Sequence, residues 1–377
     1  MDVGTYSANS ATTAANDISS RWTLRDASSR IIIAAQEDLG STVGTGSRAG
    51  VYCETGVNMD NASVTGQAET INANTTTLCS RESRLYIGNN LGEVRLGRQN
   101  VWWTQGEFNQ VGSNMIAKDV FTDLMNGGVG VYTVRGENMV MLNANKDFGA
   151  FAGSQVYTGV MGRSGLDQYS TSSTGESSVD HNGKYGGYKL NWAQDRYLAM
   201  IDYQTSHNSP TSATGTDLAG SAGDLTAANA AAAFSYKRHS TKYAVGYKYG
   251  APESLVSLQY YKKDRTKMEG GERNSDAGYG ITVHHDAGAG YVLLAQYARA
   301  NKREYGGTTA QTENGATGYT LGAIKRLSKR THVYTGYNVI NNGAAGTYNL
   351  SGGNYSSAAV GAGATVKTVA FGLQHWF

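Results

Sequence analysis

The stretch 366–377 constrains this chain more than any other. It reads V-K-T-V-A-F-G-L-Q-H-W-F. Val369, Phe371, Leu373, His375 and Phe377 fall on one face of an extended strand, and Thr368, Ala370, Gly372, Gln374 and Trp376 on the other. One face is apolar and the other small or polar. As the free edge of a soluble sheet such a strand would invite aggregation. In a sheet closed within lipid it has no free edge, and its apolar face turns outward.

The same alternation recurs along the chain. Tyr188, Leu190 and Trp192 oppose Lys189 and Asn191. Tyr197, Ala199, Ile201 and Tyr203 oppose Leu198, Met200, Asp202 and Gln204. Tyr243, Val245, Tyr247 and Tyr249 oppose Lys242, Ala244, Gly246 and Lys248. Charge keeps mostly to one face, as a wet interior requires.

Connections alternate in length. Short ones sit at 37–44, 89–93, 146–149, 193–196, 250–254, 286–290 and 327–331. Between them lie long stretches, mostly polar, at about 58–79, 100–127, 160–181, 205–240, 265–275, 301–316 and 341–363. Short turns at one end and long loops at the other are the habit of transmembrane barrels. The expected architecture is an all-β, 16-stranded antiparallel transmembrane β-barrel filling residues 1–377 as one domain. Segments 9–28 and 205–240 are ambiguous, and 227–234 is compatible with a helix, so the count carries an alternative that differs by two.

Apolar residues make up 40% of the chain, and no run approaches the roughly 18 apolar residues of a membrane helix. Half-apolar strands give the same average. The 25 tyrosines suit membrane interfaces, the 2 prolines suit strands that all donate to ladders, and the 49 glycines suit tight turns and packed interior faces. A net charge of +2 without a dense Lys/Arg cluster argues against a nucleic-acid partner. The start, Met1-Asp2-Val3-Gly4, shows no signal peptide, and a processed or incomplete N-terminus is expected.

Enzymatic readings find no support. His181, His207, His239, His284, His285, His332 and His375 sit in no nucleophile motif. His284 and His285 point to opposite faces of a strand and cannot share a metal. No glycine-rich stretch leads into a helix with Lys-Ser/Thr, as a phosphate loop needs. No metal or cofactor is implied.

Four arginines stand in recognisable strand contexts: Arg30, Arg84, Arg98 and Arg135. Facing lipid, each would cost roughly 2–4 kcal/mol at the midplane; facing water, each sets a field. The plainer alternative makes them rim residues. At Arg98 strict alternation conflicts with an inward role, since it groups Arg98 with Val94 and Leu96 and turns Arg95 inward. A bulge at Gly97 would re-aim it. The strand arginines lack obvious strand carboxylates, which points to weak anion preference.

The stretch 100–127 holds Trp102, Trp103, Phe108, Phe121, Leu124 and Met125 among Glu107, Lys118, Asp119 and Asp123. So much apolar surface must pack on something. Folded inward, the stretch would narrow a lumen and turn its carboxylates toward the wall arginines. The alternative is a surface loop at a subunit contact.

Ser29-Arg30 with Gln36-Glu37-Asp38-Leu39-Gly40, Leu96-Gly97-Arg98-Gln99, Arg135-Gly136-Glu137-Asn138, Leu327-Ser328-Lys329-Arg330-Thr331 with Tyr334 and Tyr337, and the closing Gly372-Leu373-Gln374-His375-Trp376-Phe377 together resemble the general diffusion porins of Gram-negative bacteria, particularly the betaproteobacterial branch. The resemblance implies a sixteen-stranded outer-membrane barrel, usually a homotrimer, in contact with lipid and lipopolysaccharide. It implies an inward third loop whose acidic residues face wall arginines, and passage of small hydrophilic solutes and ions. By position Arg30, Arg98 and Arg135 inherit the wall role, with Arg84 a fourth candidate. Glu107, Asp119 and Asp123, with Lys118, fall in the constriction loop. The chain departs from the family in its opening strand, in the long segment 18–36, in Ile31-Ile32-Ile33, and in Cys53 and Cys79. These cysteines flank the second long loop and permit one disulfide in an oxidising compartment, or two free thiols if they are out of register. Other classes remain open: a substrate-specific outer-membrane channel, and a barrel with an adhesive or structural role.

Overall fold

A strand whose two faces differ in polarity needs a partner on each side and a different medium on each face, and the fold meets both needs with one curved sheet. In the computed structural model, residues 2–9, 18–25, 29–57, 78–79, 81–101, 120–126, 135–160, 184–207, 236–251, 254–267, 273–306, 308–309, 313–350 and 360–377 are described. The strands are β1 (Asp2–Asn9), β2 (Ile18–Arg25), β3 (Arg30–Asp38), β4 (Arg48–Gly56), β5 (Glu82–Gly88), β6 (Gly92–Asn100), β7 (Arg135–Ala144), β8 (Gln155–Val160), β9 (Lys184–Gln194), β10 (Tyr197–His207), β11 (Tyr236–Lys248), β12 (Leu255–Lys267), β13 (Arg273–Gly288) and β14 (Tyr291–Ala300). After them come β15 (Glu304–Tyr305), β16 (Thr308–Thr309), β17 (Ala316–Arg326), β18 (Thr331–Asn342) and β19 (Thr365–His375). One seven-residue helix, α1 (Val120–Asn126), lies in the connection between β6 and β7, the third of the long ones when that between β1 and β2 is counted first.

Every ladder is antiparallel. Strands β3 to β14 pair each with the next, β14 passes to β17, and β17, β18 and β19 follow in turn. β1 then pairs with both β19 and β2, which brings the two ends of the chain together. Counting along these ladders, β2 and β3 run in the same direction, and no ladder joins them among the described residues. They form one stave in two pieces. Counted that way, and with the two-residue β15 and β16 left as a small hairpin, the barrel has the expected sixteen staves. Among the described residues the ring of ladders is interrupted at this place. The segment 18–36, which reads in sequence as one long segment, is described as β2 and β3, and 26–28 lie outside the described residues. Among the described residues β3 has a ladder only to β4, and Ile31, Ile32 and Ile33 are all exposed.

Burial follows the alternation read from sequence. Along β10, Leu198, Met200, Asp202, Gln204 and Ser206 are buried, while Tyr197 and Ile201 are exposed. Along β12, Ser257, Gln259, Tyr261, Lys263 and Arg265 are buried, while Leu258 and Tyr260 are exposed. The polarity of a soluble protein is inverted: charged and amide side chains face inward and aliphatic and aromatic ones face out. Strand residues extend to His207 and resume at Tyr236, so the fifth long connection is shorter than the sequence reading of 205–240. The stretch 227–234 lies outside the described residues.

The outer tyrosines cluster on one arc, while Trp22 on β2 and Phe148 and Phe151 in the β7–β8 connection are exposed elsewhere. Tyr188 stacks on Tyr203 (5.4 Å between ring centroids), Tyr197 meets Tyr247 (5.3 Å), and Tyr297 meets Tyr319 (5.4 Å). Within strands β3–β8 the large exposed apolar side chains are aliphatic, among them Val51, Leu85, Leu96, Val140, Leu142 and Val156.

Cys53 and Cys79 form a disulfide across the second long connection, with Cα atoms 4.7 Å apart. Cys79 is anchored further, its N–H donating to Thr55 Oγ1 at 2.8 Å.

The inverted polarity makes a direct prediction. Leu321→Arg, midway along β17 on the outer face, should destabilise the barrel in lipid by roughly 2–4 kcal/mol. The check is urea unfolding in liposomes, followed by heat-modifiable gel mobility. A midpoint equal to wild type would mean that this face does not meet hydrocarbon.

Candidate pore constriction

Helix α1, in the third long connection, lies inside the barrel. Helix α1 is too short to persist alone, since isolated helices below about 12 residues are marginal in water. The wall supports it. Val120, Phe121, Leu124 and Met125 are fully buried, in one cluster with Tyr6, Tyr261, Ala298, Ala300, Ala316 and Ile340. All six of these wall residues project inward.

The inner wall under α1 is organised in rungs. Gly280, Ala298 and Gly318 stand directly opposite one another across β13, β14 and β17. One rung nearer the short-turn end, Thr282, Gln296, Thr320, Asn338 and Thr368 form a polar row across β13, β14, β17, β18 and β19. The small rung lets the helix lie close, and the polar rung satisfies its first amides. Phe121 N–H donates to Gln296 Oε1 at 3.0 Å, and Val120 N–H donates to Thr320 Oγ1 at 3.3 Å. Those acceptors are held in turn: Gln296 Nε2 donates to Thr282 Oγ1 at 2.8 Å, and Thr320 Oγ1 donates to Asn338 Oδ1 at 2.7 Å. A helix leaves its first N–H groups without intrahelical acceptors, and here the wall supplies two. At the other end Tyr261 Oη donates to the Leu124 carbonyl at 3.3 Å, and Lys263 Nζ donates to the Met125 carbonyl at 2.5 Å.

A second connection also turns inward, one that the sequence reading left as an ordinary long loop. Tyr348, Leu350 and Val360 are buried in the cluster that holds Phe121. Tyr6 Oη donates to Asn349 Oδ1 at 2.8 Å, and the Arg303 guanidinium lies 4.8 Å from the centroid of the Tyr348 ring. The arc β13–β19 with β1 is thus thickened by two connections.

The arginines lie on a different arc. Arg30 Nη1 is 3.0 Å from Glu54 Oε1, and Arg81 binds the same carboxylate. Arg84 pairs with Glu82 and places its guanidinium 4.1 Å over the Tyr52 ring. Lower on the same wall Arg48 and Arg95 share Glu93, at 3.3 and 2.6 Å. Arg30 and Arg84 therefore do have strand carboxylates, contrary to the sequence reading. Glu54 and Glu82 escaped notice because the pairing depends on register across a turn of irregular length. The signal was present in parity: Tyr52 and Glu54 share a face of β4, and Glu82 stands opposite Glu54 on β5.

At Arg98 the ladder with β7 shifts register between Gly97 and Gln99, and Gly97 has φ +116°. Arg98 is half-buried opposite Ser83, which is exposed, while Gln99 beyond it is buried. Arg135 opens β7 with its backbone opposite Asn100, and its side chain lies outside the described residues. Of the loop residues, Asp123 is in α1 and buried. Glu107, Lys118 and Asp119 lie outside the described residues.

A second charged arc, absent from the sequence reading, crosses β9–β13. Asp202 stands between Lys189 and Lys242 across β9, β10 and β11. Lys263 is 3.3 Å from Asp276, and Arg238 stands directly opposite Arg265. All seven side chains are buried on the inner face. Cations outnumber carboxylates there by five to two, counting Lys189, Arg238, Lys242, Lys263 and Arg265 against Asp202 and Asp276.

Gln296→Leu would leave the buried Phe121 N–H without its acceptor, at a cost of roughly 1–3 kcal/mol. The amide of Phe121 should then exchange with deuterium faster in the folded barrel. Unchanged exchange would place the hold on α1 elsewhere.

No family model matches the chain, and no curated protein matches it. Among solved structures, the anion-selective porin from Comamonas acidovorans superposes with a TM-score of 0.71 at 20% identity, over 100% of this chain and 97% of that one. OmpT of Vibrio cholerae, an outer-membrane protein folded in vitro and seen in its trimer form, gives 0.64 at 11% identity, over 100% and 97%. OmpF of Salmonella typhi, in complex with daunomycin, gives 0.56 at 13% identity, over 100% and 96%. At these identities the likeness is one of fold, and it runs the whole length of the chain: the protein folds as the Gram-negative outer-membrane porins do.

Proposed function

We propose that the protein is an outer-membrane porin: a water-filled channel through which small hydrophilic solutes and ions diffuse passively, with weak anion preference. The observation that carries this reading is α1, seated on the inner wall of a barrel whose inner face is polar and charged. A segment placed there narrows the passage. No catalytic role is assigned to any residue.

Arg30, Arg84, Arg98 and Arg135 are the proposed wall residues, with Asp123, Glu107, Asp119 and Lys118 on the constriction loop. The anion preference draws on the cation excess of the β9–β13 arc as much as on these arginines, because Arg30 and Arg84 are each beside a carboxylate. Across a lumen about as wide as the 8–10 Å Debye length, salt screens much of such a field, so the bias is modest and strongest at low salt.

The barrel is placed in the outer membrane, in contact with lipid and lipopolysaccharide, with the long connections outside and the short turns in the periplasm. A homotrimer is proposed through the β3–β8 arc. Its aliphatic outer face suits a protein neighbour, whereas the tyrosines of β9–β17 suit the lipid headgroup level.

Single-channel recording in planar bilayers tests the reading. Conductance should rise in proportion to salt, and a salt gradient should give a reversal potential displaced toward anions. Arg30→Gln with Arg84→Gln should move that potential toward cations. Saturation or block by one solute would indicate a substrate-specific channel, and silence would indicate a structural or adhesive barrel.

A further inference from the structure

The trough under α1 contains two residues that strand chemistry does not explain. Glycine weakens a strand interior, and its usual excuses are a bulge, a bend or the close approach of another group. Neither Gly280 nor Gly318 has a positive φ, and neither sits at a register shift. Any L-residue could adopt their backbone conformation. What excludes a side chain is the helix. A Cβ on Gly280 would stand 2.6 Å from Phe121 Cδ2, and one on Gly318 would stand 2.8 Å from Val120 Cβ. The residue between them in the same rung, Ala298, is as small as a side chain can be.

We propose that Gly280 and Gly318 set the width of the passage. They are positioning residues that act through Phe121 and Val120, fixing how deep the first turn of α1 sits in the wall. This deepens the pore reading above and rests on it.

The geometry dictates the direction of the effect. Val120 Cβ is bonded to the helix backbone, so a contact there is relieved only by moving the helix. The Phe121 ring meets Tyr261 edge-on, with centroids 5.8 Å apart, which limits its swing. Behind the first turn is the wall, so relief of the contact moves that turn away from β13, β14 and β17, toward the barrel axis. The far end of α1 remains held through Leu124 and Met125 by Tyr261 and Lys263. A side chain on the small rung therefore lifts the first turn about that end. It lengthens the bonds from Val120 and Phe121 to Thr320 and Gln296 and narrows the passage.

The test is a cycle of four proteins: wild type, Gly280→Ala, Phe121→Ala, and the two changes together, each checked for the folded barrel by heat-modifiable mobility. Gly280→Ala alone should lose single-channel conductance. Added to Phe121→Ala, it should change conductance no further, because the ring it displaces is gone. A rise or no change in Gly280→Ala, or an equal loss with and without Phe121, overturns the proposal while leaving the pore reading intact if wild type conducts. Silence of the wild type sinks the pore reading. Amide exchange at residues 120 and 121 then decides the positioning role by itself: faster exchange in Gly280→Ala, abolished in the double variant, supports it, and uncoupled exchange overturns it.

Discussion

Hydrocarbon offers no partner to a backbone N–H or C=O, and each unpaired group there costs several kcal/mol. Everything else in this structure follows from that shortage. Strands must pair on both sides, so the sheet curls until β1 meets β19. Successive side chains must then alternate between lipid and lumen, which fixes the period of two along every stave. Among the described residues the rule is strained where no ladder joins β2 to β3. That place is where the chain departs from regular alternation, at Ile31, Ile32 and Ile33.

A lumen lined by polar side chains has room for a second kind of structure. Helix α1 owes its persistence to the wall. Its apolar face buries against Tyr261, Ala298 and Ala316, and two of its first amides are received by Gln296 and Thr320. The same surface that is polar one rung down is small one rung up, because a helix end needs acceptors and a helix flank needs space. The inner wall is thus patterned along the barrel as well as across the sheet.

Much of this was legible in the chain. The faces of β10, β11 and β19 could be read directly, because period-two alternation needs only a few neighbouring residues. The apolar content of Phe121, Leu124 and Met125 announced that the third connection must pack on something. What could not be read were contacts fixed by register between distant segments. Glu54 finds Arg30 only after an irregular turn sets how β3 meets β4. Gly280 and Gly318 are far from residue 120 in sequence, and nothing local distinguishes them from turn glycines. The inward course of Tyr348 and Leu350 was hidden because two apolar residues in a polar loop carry no period.

The charge pattern bears on how a pore with this wall would work. A carboxylate beside a guanidinium cancels much of its field at a distance, and the pair presents a dipole to a solute passing at several ångströms. Glu54 between Arg30 and Arg81, and Glu93 between Arg48 and Arg95, each leave one net positive charge per trio, not two. Arg84 with Glu82 leaves none. The β9–β13 arc keeps a larger excess of cations. Under the pore reading the attraction felt by an anion is then spread over two arcs of the wall. Such a distribution favours passage over capture, because a shallow potential along the path raises the local anion concentration without a deep well to hold any one ion.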